Sequence, residues 1–154
     1  MSGMESSVSV ANWFIERGLA DGQKGMCPIR VQKLVYLAYG WHLALTGKPL
    51  TREVPLAMWW GPCFPQLLEL ISGFFTVDDP IRGVLTKGEV SANLEAFLER
   101  IWQVYYRLSS AQLSALVSSE DSPWMKILRT NPGRVNLQIP DAYILDYYRG
   151  KLKP

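Results

Sequence analysis

A mainly α-helical, single compact domain is the fold class this sequence predicts. Apolar residues recur at helical spacing along most of the chain, and serines or prolines stand where helices of that register would begin. Strand-like alternation shows only around one proline- and glycine-rich stretch. At 154 residues the chain has the usual size of one domain and is long enough to bury one substantial core. An apolar content of 48% with 19% charged residues is that of a folding chain rather than a disordered one.

Ser6, Ser7 and Ser9 supply N-cap hydroxyls for a first helix in which Val10, Ala11, Phe14 and Ile15 share a face, with Gly18 as its stop. ADGQKGMCP is a turn-rich connection, and Pro28 suits the first position of the next helix, where its missing N–H is not needed. From there Val31, Leu34, Val35, Ala38, Trp41, His42 and Leu45 form one stripe to about Thr46, roughly 28 Å of helix. Tyr36, Leu37 and Gly40 lie on a second face, which predicts a central helix that is apolar nearly all round, with Gly40 admitting a close neighbour.

TGKPLTREVPLAMWWGPCFP breaks helical bonding repeatedly, while Val54, Leu56 and Met58 alternate as a short extended segment. Two tryptophans and a phenylalanine make it a structured loop, since otherwise several hundred Å² of apolar surface would face water. An amphipathic helix follows from Pro65 to Phe75, then a loop over residues 76–91 with room for a short β-hairpin. Ser91 opens a long helix through Leu94, Phe97, Leu98, Ile101, Tyr105 and Leu108. Ser109 or Ser110 caps a shorter one, and Pro123 starts another. The last, Asp141 to Arg149, carries Tyr143, Ile144 and Tyr147 on a face, giving about seven helices and no internal repeat.

Charge and motif spacing narrow the function. The net charge of +2 provides no overall field for nucleic acid or anionic lipid. From Lys126 onward, however, six basic residues face two acids, so Arg129, Arg134, Arg149, Lys151 and Lys153 are the candidate nucleic-acid contacts of an alternative, DNA-binding reading. Cys27 and Cys63 lack metal-ligand spacing, and no segment has the roughly 18 uninterrupted apolar residues of a membrane span. The first residues, MSGMESSVSV, lack the pattern of a secretory signal, so a reducing cytoplasm with free thiols is expected.

His42, the only histidine, has no nucleophile motif beside it and is read as a core or boundary residue. Asp78-Asp79 and Glu120-Asp121 stand in turn-like contexts, and the glycines fit no nucleotide-binding spacing. No enzyme, metal or cofactor is expected. AMWWGPCFP remains, either as a plug in the core or as a contact surface whose rigid rings lose little entropy on binding, and one tryptophan in with the other out satisfies both.

These residues also carry a resemblance. Gln32, Lys33, Leu34 and Tyr36, followed by Gly40, Leu43, Ala44, Gly47 and Leu50, fit the helix signature of the Panacea or SocA-like antitoxin domain, often found in phage-associated proteins. Ala57, Gly61, Pro62 and Pro65 fit its second signature, with Met58 at the tryptophan position and Trp59 and Trp60 just after it. Leu113, Ser114, Pro123 and Trp124 fit the late motif, where Val117-Ser118 replaces a threonine-histidine pair. The likeness runs from about Val10 to Trp124 and implies a helical, non-enzymatic domain that neutralises a cognate toxin by direct binding. It also leaves room for a cellular protease to which the toxin is delivered, or for a host defence protein as the target. Lys33, Tyr36, Trp59, Trp60, Phe64 and Trp124 are the expected partner contacts.

Overall fold

The computed structural model describes residues 5–23, 26–71 and 90–152. Seven helices lie among them: α1 (Ser7–Ala20), α2 (Pro28–Thr46), α3 (Pro65–Ile71), α4 (Ala92–Tyr105), α5 (Ser110–Val117), α6 (Pro123–Thr130) and α7 (Asp141–Leu152). Three short strands, β1 (Leu56–Met58), β2 (Gly61–Cys63) and β3 (Leu137–Gln138), make an antiparallel sheet in the order β2-β1-β3. The fold is mainly α, as the apolar periodicity predicts. No described helix is long and apolar enough to cross a membrane.

The helices begin where side-chain caps place them. Ser6, Ser91, Ser109 and Ser122 each accept the N–H of the residue three positions on, satisfying a donor that the helix itself leaves unpaired. Ser109 completes a reciprocal capping box with Gln112. Pro28 and Pro123 open α2 and α6, and Gly47 ends α2 in the left-handed conformation (φ 76°).

α2 is the axis of the molecule. The ten residues from Val31 to Gly40 are all buried, because α1, α3, α4, α5, α7 and β2 pack around them. A Cβ at Gly40 would clash with the nearest atoms of the Tyr148 ring, so glycine here sets how closely α7 lies on α2. Tyr148 is itself held edge-on by Trp41 (5.1 Å) and Tyr147 (5.0 Å). The Tyr39 hydroxyl donates to Asp141 (2.7 Å), and Arg149 Nε donates to the Ala44 carbonyl (3.1 Å). That guanidinium lies where the carbonyl end of α2 favours a cation.

Several sequence expectations need correction. α1 does not stop at Gly18 but runs to Ala20. Gly18 is small because Met26 Cε would lie 3.1 Å and the Trp102 ring 3.4 Å from a Cβ there. Leu45 leaves the apolar stripe and is exposed, while Leu43 and Ala44 on the same turn stay buried. α7 continues past Arg149 to Leu152, and its buried residues are Ile144 and Tyr148, with Tyr143 and Tyr147 half-buried. The hairpin expected within residues 76–91 falls almost wholly outside the described residues; the one observed is β1–β2, inside the aromatic loop.

Candidate protein-contact site

The aromatic loop is a β-hairpin whose two turn residues are Trp59 and Trp60. Met58 pairs with Gly61, Ala57 with Pro62 and Leu56 with Cys63. Gly61 takes φ 134°, a conformation that suits glycine, to start the return strand. β2 is an edge strand, which is where a proline such as Pro62 costs least.

The turn is tied down from three directions. Below it, the Gln32 amide on α2 grips the end of β2: the Phe64 N–H donates to Oε1 (2.9 Å) and Nε2 donates to the Phe64 carbonyl (3.2 Å). From α6, the Trp124 indole N–H donates to the Met58 carbonyl (2.6 Å). Along the other edge of β1, where β3 pairs with it, the Asn136 N–H donates to the Ala57 carbonyl (3.0 Å) and the Ile139 N–H to the Pro55 carbonyl (2.9 Å). With its backbone fixed in this way, the turn holds Trp59 in water at 73% exposure and leaves Trp60 half-buried.

Behind Trp60 lies Lys33, a residue of α2 that is only 1% exposed. Its Nζ stands 5.1 Å from the centre of the Trp60 indole and has no hydrogen-bond partner. A Cβ at Gly61 would meet it at 2.9 Å, so the missing side chain at Gly61 is what makes room for the amine. Burial pushes the Lys33 ammonium below its ordinary pKa, and pushes the neighbouring Cys63 thiol up to about 11. One helical turn along, the Tyr36 hydroxyl is buried without a partner too, and burial drives its phenol far above the usual range.

Beside the turn, α2 and α3 leave an open apolar groove of about 350 Å³, lined by Pro28, Ile29, Gln32, Trp59, Trp60, Leu68 and Ile71. Ile29 is 47% exposed, so it and Trp59 present a paired apolar rim over a concave wall. Exposed aromatics on a rigid backbone beside a pocket are the usual composition of a binding hot spot.

Trp59 and Trp60, of the six contact residues expected from the sequence, line this groove, whereas Lys33 lies behind it. Tyr36, Phe64 and Trp124 lie in the core rather than at the surface: Tyr36 meets Tyr148, Phe64 meets Tyr39, and Trp124 anchors β1. Ile29 and Leu68 were missed, since each reads as an ordinary member of an amphipathic helix. Only the turn between the strands turns them into groove walls.

His42 faces the Lys48 carbonyl through Nδ1 (2.7 Å) and the Phe97 ring edge-on, an arrangement that ties the end of α2 to the following loop. The basic residues have separate neighbours. Arg129 pairs with Glu120 (3.4 Å), Arg149 caps α2, Lys151 sits over Tyr147 (4.7 Å), and Arg134 is exposed. Lys153 lies outside the described residues.

No curated protein and no solved structure matches the chain. Residues 31–125 match the family model described as antitoxin SocA-like, Panacea domain, a stretch that takes in α2 from Val31 onward, the Trp59-Trp60 turn and α6 as far as Met125. That match covers more than half of the sequence and supports an antitoxin-type role, and the chain belongs to the SocA-like antitoxin family through its Panacea domain.

Proposed function

We propose that this protein is a non-catalytic antitoxin that neutralises a toxin protein by direct contact, with the groove beside the Trp59-Trp60 turn as the contact surface. The observation that carries this reading is Trp59 itself. A large indole is held out in water by a turn fixed at Phe64, Met58 and Ala57, next to the exposed Ile29. Holding such a ring exposed forgoes the roughly 1.5–3 kcal/mol that burying a large apolar side chain supplies, and a partner that covers it recovers that term with little ordering cost.

The test is co-expression with the product of the adjacent gene, followed by measurement of the complex with wild type and Trp59→Ala. Loss of the ring is expected to weaken the complex by more than about 1 kcal/mol while leaving the melting temperature unchanged. An unaltered affinity for a folded Trp59→Ala protein removes the groove from the interface. Simple blocking and delivery to a cellular protease differ in the partner's half-life: blocking leaves it constant in cells, and delivery shortens it. A host defence protein as the target would bind the same surface.

A further inference from the structure

Lys33 is the group in this site that the fold leaves least explained. A lysine is almost never fully buried unless it is paired, yet Nζ has no hydrogen-bond partner and the titratable groups that act on it are the thiols of Cys63 and Cys27. The space around it is nevertheless shaped to hold it, since Gly61 gives up its side chain where Nζ lies. Trp60 is common to both settings: it walls the groove and stands over the amine. Gln32, the polar amide in the groove lining, has both ends engaged by Phe64. The site therefore offers one unpaired cation behind an apolar wall, with the indole between them.

Building on the contact surface described above, we propose that the partner segment entering the groove carries an Asp or Glu side chain next to an apolar residue. The apolar residue lies against Ile29, Trp59 and Leu68, and the carboxylate meets Lys33 as the Trp60 ring turns aside. A cation buried and unpaired in the free protein gains most from such a partner, because its desolvation has already been met and a charge-assisted hydrogen bond forms in a low dielectric. A single side-chain carboxylate fits this one donor better than a chain terminus, which is usually held by several backbone N–H groups at once.

The experiment is peptide display against the full-length protein with two random heptapeptide libraries, one fused at both ends and one ending in a free carboxylate. Wild type is expected to enrich fused-library sequences with Asp or Glu beside an aliphatic or aromatic residue. Lys33→Met, checked for folding by circular dichroism, is expected to lose the acidic preference and keep the apolar one. Synthetic peptides from the selection should bind wild type at least ten-fold more tightly than their Glu→Gln versions and bind Lys33→Met without that difference.

Apolar enrichment with no acidic preference in wild type overturns the proposal and leaves the contact surface standing. So does an acidic preference that survives in Lys33→Met. Selection from the free-terminus library alone overturns the side-chain form, and no enrichment with wild type, or enrichment untouched by Trp59→Ala, overturns the groove reading as well. Should Lys33→Met not fold, Lys33→Leu serves in its place, and the Glu→Gln comparison on wild type decides the matter without either variant.

Discussion

Replacing Lys33 with methionine is expected to make the free protein more stable. The thioether keeps the length of the stem and removes the ammonium, whose Nζ is buried without a hydrogen bond. Exchanging even paired buried charges for apolar groups of similar volume is often neutral or stabilising by about 1–4 kcal/mol, and an unpaired charge has less to lose. Against this stands the loss of the contact with the Trp60 ring at 5.1 Å, worth up to about 2 kcal/mol when desolvated. Taking the middle of each range, about 2.5 against about 1 kcal/mol, the net expectation is a gain of about 1.5 kcal/mol, which in a chain of 154 residues raises Tm by about 3–6 °C.

The pH dependence gives the expectation a second, independent sign. Burial holds the folded-state pKa of Lys33 below the ordinary value of 10.5. At pH values below that folded pKa both states are protonated, so the full burial cost is present. As pH rises from the folded pKa toward 10.5, the native amine sheds its proton while the unfolded chain keeps its own, so the unfolded state binds more protons and stability rises. The advantage of Lys33→Met should therefore be largest below the folded pKa and shrink as pH rises from there toward 10.5. Buried Tyr36, Tyr39, Tyr105 and Tyr148, with pKa values raised by burial, act in the opposite sense above about pH 9 and are common to both proteins. Urea unfolding at a series of pH values reads the difference directly. An equal or lower unfolding free energy for Lys33→Met at the acidic end of the series, or a gap that widens with pH, would refute the reasoning.

Other consequences follow from neighbouring contacts. Gln32→Ala strands the N–H of a fully buried Phe64, whose C=O keeps the Leu68 N–H (2.9 Å), and should cost about 1–3 kcal/mol for the one orphaned group; urea unfolding that moves by less than about 1 kcal/mol would show that water replaces the amide. Gly40→Ala gains about 1 kcal/mol of helix propensity but drives a Cβ against the ring of Tyr148 at an overpacking cost of about 1–3 kcal/mol, so a net loss of up to about 2 kcal/mol is expected, and a rise in Tm would mean that α7 can move away. The Asp21 carboxyl is held below the usual range first by the Trp102 indole N–H (2.8 Å) and then by Arg17. Trp102→Phe should thus raise the Asp21 pKa measured by NMR titration. An unmoved pKa would place the cause in Arg17 instead.

Helix starts were legible in the sequence because they are local. Ser91, Ser109, Ser122, Pro28 and Pro123 act on N–H groups or φ values within three residues of themselves, and tertiary context has little to add. The hairpin was not legible, because its turn is Trp-Trp rather than the usual Asn-Gly or Asp-Gly. Its return strand is only Gly-Pro-Cys, and its third strand comes from Leu137–Gln138, more than seventy residues away. The burial of Lys33 escaped for a related reason. Helical period assigns a lysine stem to the boundary and its head to water, and only the hairpin folding back over α2 closes the lid. Tyr148 was overlooked since Tyr143, Ile144 and Tyr147 look the better stripe, and the fit of its ring against Gly40 is a property of two helices together.

Positions 32 and 33 divide two tasks between neighbours on α2. Gln32 has its amide engaged at both ends and holds the hairpin in place; Lys33, directly under the turn so held, has a polar head that nothing in the described chain satisfies. A residue kept only for stability would be the easier one to replace, because methionine or leucine fills the same volume without the cost of burying a charge. The cost becomes intelligible if the amine is used at the moment a partner covers the groove. On that view the stability gained by Lys33→Met and the acidic preference lost with it are two readings of one energy term, and a variant that gained stability while keeping the preference would separate them. The free protein then carries at Lys33 a strain that the complex relieves, which places part of the binding energy inside α2 rather than on the exposed rim of Ile29 and Trp59.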